Sequence, residues 1–240
     1  MNPSPPLQQA GIGVVVPYDF ALDRELWRWL PNDVSLHIPR LPYAPMPATM
    51  EMAVHISDPE HAAQCVTDVS AVGPLVTAYA CTSGSFVAGP LAEQALVEAM
   101  LAAGSPLALT TSGALLSALR YLGYTRVATA TPYTADLTVG LTAFLGESGI
   151  EVTAAAGLGL TSDIWTVPHD VTAQLVRETD TDDAQAVFIS CTNLPTYDVI
   201  ADLDHELGKP VLTANQVTMW HSLSLIGRKA VGPGQQLMER

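Results

Sequence analysis

Lysine is nearly missing from this 240-residue chain: Lys209 and Lys229 are the only two. All basic residues together number 10 against 24 acids, a net charge of -14. Nucleic acid and anionic membrane surfaces bind through a basic footprint, so neither is expected as a partner. A small anion is not excluded, because backbone N–H groups at helix N-termini hold a carboxylate without any cation. The acidity itself reads first as a solvated, solubilising surface.

Other absences narrow the classes further. No apolar run reaches the roughly 18 residues of a membrane span. Residues 1–10 lack the basic start and long apolar stretch of a signal peptide, so a loose tail and a cytoplasmic protein are expected. Three cysteines with no CxxC pair do not make a disulfide framework. The six histidines form no HExxH pair, so no metal is expected. Gly11 and Gly13 lack the third glycine of a dinucleotide fingerprint and precede their strand. There is no Walker loop, and Ser83 and Ser112 lie outside a GxSxG elbow.

What the chain does contain is a pattern that occurs twice. Cys81 follows the apolar run 76–80 and leads into Thr82 and Ser83; Cys191 follows the run 186–190 and leads into Thr192 and Asn193. Upstream, Pro17-Tyr18 and Pro132-Tyr133 each end another such run. Pro17 to Cys81 is 64 positions and Pro132 to Cys191 is 59. Strands are predicted over 12–16, 34–38, 75–80, 107–109, 126–130, 150–155, 186–190 and 210–213. Helices are predicted over 92–103, 113–122, 135–147, 171–179, 197–207 and 217–225, with Ser112, Thr134 and Asn215 as caps.

Such alternation implies an α/β fold with parallel sheets covered on both faces, in two halves of about four strands. The expected division is 11–112 with 216–240 against 113–215. Ligand sites in these folds lie beyond the carboxyl ends of the strands. Cys81, Cys191, Pro17-Tyr18 and Pro132-Tyr133 all fall there, so they should meet in one cleft, with the Pro-rich segment 41–47 as a loop near it.

Each candidate has a bland counterpart. Cys65, inside a helical stretch, is expected to be a small core hydrophobe. Cys81 and Cys191 end strands, where N–H groups of the following segment are expected to lower the thiol pKa. Thr82, Ser83, Thr192 and Asn193 serve either as helix caps or as donors to a carboxylate or oxyanion. Tyr133 is a packing residue or a hydrogen-bond donor to substrate. Asp19 and Asp136 follow the Pro-Tyr segments and are further candidates. His221 is expected to be structural.

These segments resemble the Asp/Glu racemase superfamily, in the branch of maleate cis–trans isomerases and arylmalonate decarboxylases. The resemblance rests on the runs 14–17, 80–83, 112–115, 131–133, 189–191 and 208–211, and covers nearly the whole chain. It implies two pseudo-symmetric flavodoxin-like (Rossmann-like) domains, a site in the interdomain cleft, and no cofactor. It implies Cys81 as nucleophile, Cys191 as the thiol that gives and takes a proton, and Tyr133 as a substrate contact. Thr82 and Ser83 would bind a carboxylate or oxyanion. The decarboxylases of the branch typically carry glycine where this chain has Cys81, so both cysteines together point to an isomerase or racemase.

One departure bears on the substrate. Maleate isomerases follow the first strand with a Pro-Ser-Ser-Asn run whose asparagine holds a carboxylate; this chain has Pro17-Tyr18-Asp19-Phe20. Tyr18 and Phe20 are expected to suit a bulkier or less charged substituent, with Tyr18 and Asp19 among the substrate contacts. The expected function is a two-cysteine isomerase of a small carboxylate, and a homo-oligomer is compatible with it. The competing readings are a decarboxylase relying mainly on Cys191 and a non-catalytic carboxylate-binding protein.

Overall fold

The computed structural model of the chain describes residues 9–239. Its first half runs β1 (Ala10–Val15), α1 (Asp23–Leu26), β2 (Val34–His37), α2 (Met50–Ile56), α3 (Pro59–Val69), β3 (Val76–Tyr79), α4 (Thr82–Phe86), α5 (Pro90–Ala102), β4 (Ala108–Thr110) and α6 (Thr111–Leu122). The second runs β5 (Arg126–Thr131), α7 (Ala135–Glu147), β6 (Glu151–Gly157), α8 (His169–Thr179), β7 (Ala186–Ile189), α9 (Tyr197–Leu207), β8 (Val211–Thr213) and α10 (Ala214–Leu225), followed by α11 (Gln236–Glu239). The tail expected over 1–10 is cut short, because Ala10 already belongs to β1; its first eight residues lie outside the described residues.

Two four-stranded sheets result, ordered β2-β1-β3-β4 and β6-β5-β7-β8, with every pairing parallel. The orders are the same when the halves are aligned, as the repeated sequence pattern requires. Central strands β3 and β7 are buried at every position, which explains their unbroken apolar runs. β6 is an edge strand and has no fully buried position. In each sheet the chain order reverses between the first strand and the third. That is where an open parallel sheet leaves a crevice at its strand ends. Among the described residues no helix is long and apolar enough to cross a membrane.

Helices begin earlier than their sequence signals suggest. β4 and β8 run straight into α6 and α10, so the caps are the last strand residues, Thr110 and Thr213, rather than Ser112 and Asn215. Thr213 and Gln216 form a reciprocal capping box. Thr134 does precede α7, but its hydroxyl bonds Asp136 instead of the helix backbone. α6 and α10 pack on each other, with a Thr111–Thr218 hydroxyl contact of 2.9 Å, and α10 also touches β3 and β8.

A carboxylate fastens the halves at one side. Glu25 of α1 accepts from the Thr196 backbone N–H (3.0 Å), the Thr196 hydroxyl (2.9 Å) and the Asn215 side-chain amide (3.0 Å). Thr196 and Asn215 are both buried. Glu25→Ala removes all three acceptor contacts and strands donors away from water. It should cost about 2–3 kcal/mol in urea unfolding, and Glu25→Gln clearly less. A loss below about 0.5 kcal/mol for the alanine variant would contradict this role.

Candidate active site

The strand ends of both sheets converge on a cavity of about 30 Å3. Pro17 and Asp19 reach it from the end of β1, Cys81, Thr82 and Ser83 from β3, Tyr133 from β5, and Cys191, Thr192 and Asn193 from β7. Ala48, Thr49 and Met52 beside α2 and Leu137 and Ile164 from the second half form a largely apolar wall. The wall residues carry no chemical signal in the sequence. Only Ala48, Thr49 and Met52 had any hint, from their position just after the Pro-rich segment 41–47.

Cys81 is the N-cap of α4, and its sulfur accepts from the Gly84 N–H at 3.4 Å and lies 3.6 Å from the Ser83 hydroxyl. Gly84 is needed there: a Cβ would run into the Tyr79 hydroxyl, which donates to the Ile56 carbonyl beneath α4. The expected lowering of the thiol pKa is not what this environment does. Burial pushes Cys81 up to about 11, and the Gly84 and Ser83 hydrogen bonds only partly offset it. The helix that follows has five residues, too few to add a strong dipole field.

Cys191 is held at φ 86°, in the left-handed region that side chains seldom occupy. Such strain persists only where surrounding contacts enforce it. Here the Cys191 N–H donates to the Thr82 hydroxyl across the cleft (3.3 Å), and the Thr192 hydroxyl donates to the Ala80 carbonyl (3.1 Å). Burial is again the largest effect on the thiol, pushing it up to about 12; the Asn193 N–H and the Tyr133 hydroxyl act the other way, and the charge of Cys81 adds to the rise. The Tyr133 hydroxyl also accepts from Ser190 at 3.3 Å. Tyr133 is thus held at the residue before Cys191, where its hydroxyl favours the Cys191 thiolate.

The remaining candidates divide. Asn193 lines the cavity, but its side-chain amide is engaged with backbone: it donates to the Asp19 carbonyl (3.2 Å) and accepts from the Ala21 N–H (2.9 Å). Tyr18 stays outside the lining, its hydroxyl donating to the Met46 carbonyl (3.0 Å) and its ring edge-on to Tyr43. Phe20 is buried in the core. Neither Tyr18 nor Phe20 is among the lining residues; of that loop, Pro17 and the acid Asp19 line the cavity. Asp136 is exposed on α7, and His221 stacks on Trp220 far from this lining. Cys65 is buried, as expected of a core residue. Among the described residues, no three His, Cys, Asp or Glu side chains cluster to ligate a metal.

Comparisons with known proteins agree on one lineage. The sequence profile of the family described as arylmalonate decarboxylase matches residues 50–238. Arylmalonate decarboxylase of Bordetella bronchiseptica is 34% identical over 160 residues, 65% of this chain and 66% of that protein, just under two thirds of its length. A maleate isomerase of Nocardia farcinica is 28% identical over 198 residues, 76% of this chain and 79% of that protein. Among solved structures, a liganded arylmalonate decarboxylase variant has one glycine changed to cysteine and one cysteine changed to serine. It superposes with a TM-score of 0.89 over 96% of this chain and 99% of that one, at 27% identity. Nocardia farcinica maleate cis–trans isomerase, solved with a covalently bound succinylcysteine intermediate, has the same fold, with a TM-score of 0.85 over 96% and 99% at 24% identity.

The raised thiol pKa values of about 11 and about 12 give a sign to reactivity. Both cysteines are neutral below these values and become thiolates above them. Iodoacetamide labelling of ligand-free protein should be slow near pH 7 and rise about tenfold per pH unit towards about pH 11. Peptide mapping assigns the rates. A Cys81 or Cys191 that labels near pH 7 as fast as free cysteine overturns this account.

Proposed function

This chain belongs to the arylmalonate decarboxylase family, and we propose that within it the protein is a cofactor-independent, two-thiol isomerase of a small carboxylate. The observation that carries the reading is the pair of thiols lining one cavity from equivalent strand ends, each with its own donors. A decarboxylase needs one proton donor. A second thiol opposite it has work to do when a bond is made and then broken, or when a proton leaves one face and returns to the other.

In the cis–trans version, the Cys81 thiolate adds to the carbon β to the carboxylate of a conjugated alkene. The π electrons move onto the carboxylate oxygens, where the Thr82 and Ser83 hydroxyls are placed to donate. The Cys191 thiol then protonates the α carbon, leaving a C–C single bond that rotates. Cys191 removes that proton again, the C–S bond breaks, and the trans alkene and the Cys81 thiolate are released. The cycle starts once the Cys81 thiol has lost its proton to solvent; from then on one proton moves from Cys191 to the α carbon and back, so protons balance. In the racemase version one thiolate takes the α proton and the other thiol returns a proton to the opposite face.

A pKa near 11 leaves about one Cys81 in ten thousand ionised near pH 7, which puts on the order of 5 kcal/mol into thiolate formation. Substrate must therefore gain more from the ionised form than from the neutral one. Decarboxylation is the second reading, and the apolar wall of Ala48, Met52, Leu137 and Ile164 is what favours it. A dry wall would help a carboxylate leave as carbon dioxide.

Cys81→Ala and Cys191→Ala, assayed on maleate, its monoamide, amino acids and an arylmalonate, separate these readings. An isomerase should lose at least about a thousandfold in kcat with either variant. A decarboxylase should release carbon dioxide and tolerate Cys81→Ala. Full turnover by both variants on a confirmed substrate would end the two-thiol mechanism. Tyr133→Phe removes a donor to Cys191 and should lower kcat about tenfold or more. It should also move the alkaline limb of Cys191 labelling to higher pH, a shift that simple loss of packing would not produce.

A further inference from the structure

Asp19 is the one acid among the residues lining the cavity in which the proposed substrate would lie, and burial raises its carboxyl pKa. It lines the cavity with both cysteines, and its negative field reaches each sulfur, contributing to the rise of both thiols. No Lys, Arg or His is among the residues lining that cavity. Arg40 is the cation that Asp19 senses, but its guanidinium is engaged elsewhere, donating to the Phe20 carbonyl (2.7 Å) and the Asp23 carboxylate (3.0 Å). A second negative charge entering beside Asp19 would meet an acid in a low-dielectric space whose lining holds no cation.

The hydroxyl and amide donors tell the same story from the other side. Thr192 donates to the Ala80 carbonyl, and both ends of the Asn193 amide are taken by the loop carrying Asp19. The Tyr133 hydroxyl serves Cys191. Thr82 uses its oxygen to accept from the Cys191 N–H, which leaves its hydroxyl proton to give, and Ser83 is bonded only loosely to Cys81. Two adjacent hydroxyls at the start of α4 match one carboxylate. Asp19 adds an acidic acceptor to the same lining.

We infer that Asp19 selects monocarboxylates whose far end donates hydrogen bonds, an amide or an ammonium, and rejects dicarboxylates. The inference rests on reading this cavity as the substrate site and adds the polarity of its two ends. Thr82 and Ser83 hold the carboxylate; Asp19 accepts from the donor group.

Three saturated four-carbon probes that cannot undergo alkene isomerisation separate binding from chemistry: succinate, succinamate and 4-aminobutyrate. Calorimetric titration near pH 7.5 into the full-length protein gives each Kd. Protection of Cys81 and Cys191 from alkylation shows that the probe sits in this cavity. Succinamate or 4-aminobutyrate, whichever donor group is the right one, should bind at least tenfold more tightly than succinate. In Asp19→Asn, and in Asp19→Ser should the asparagine variant unfold, the difference should shrink to within about threefold, mainly by tighter succinate binding. Equal or tighter binding of succinate to the unaltered protein overturns the inference. So does a preference that survives in both Asp19 variants, or no binding of any probe. The cysteine variants are scored separately by turnover. A charge preference with dispensable cysteines would reject the two-thiol chemistry alone, and inactive cysteine variants without the preference would reject Asp19's role alone.

Discussion

Cys81 and Cys191 line a cavity of about 30 Å3, room for one or two water molecules, and burial at this density holds both thiols protonated. Charge is costly in such a space unless it is paired, and no cation lines it. The protein uses neutral donors instead: the Gly84 and Asn193 N–H groups and the Ser83 and Tyr133 hydroxyls, each favouring a thiolate without overcoming desolvation. The near absence of lysine from the sequence is consistent with this arrangement, although the lining itself decides the point.

The same strand-end layer also joins the two halves. Thr82 bonds the Cys191 backbone, Thr192 bonds the Ala80 backbone, and Asn193 clasps the loop at Asp19 and Ala21. Glu25 ties Thr196 and Asn215 just behind. Three of the side chains expected to contact substrate therefore contact the opposite half first. The strained backbone of Cys191, on the order of 1–3 kcal/mol, is sustained by these links. A change that loosens the halves also frees the backbone of Cys191, so stability and the geometry of the candidate site share one set of hydrogen bonds.

The eight strands and the two-sheet architecture were legible because central parallel strands must be apolar on both faces, as β3 and β7 are. Repetition of Cys followed by hydroxyl or amide residues then located the cleft, since both repeats sit at strand ends. α4 was not legible. Thr82, Ser83, Gly84 and Ser85 are weak helix formers, and burial under α2, α5 and α6 imposes the turn. The direction of the thiol shifts was not legible either. Sequence shows the donors beside each sulfur but not how completely water is excluded, and exclusion is the larger effect. The places of Tyr18 and Phe20 were not legible for a related reason. Adjacent residues on a loop point different ways, and only the tertiary fold turns Phe20 into the core and leaves Asp19 on the lining.

A cavity of about 30 Å3 is narrow beside the roughly 300 Å3 of small ligand pockets. The cavity wall on the first half includes Ala48, whose N–H donates to the Thr161 carbonyl of the second half at 2.8 Å. Breaking a single backbone hydrogen bond costs about 1 kcal/mol when water replaces the partner, so this link is a latch and not a lock. Water admitted along this seam would favour the thiolate that burial suppresses. In the proposed reaction that charge moves onto the substrate carboxylate, for which Thr82 and Ser83 are the proposed donors, so how far this seam excludes water sets how much of the ionisation the substrate itself must drive.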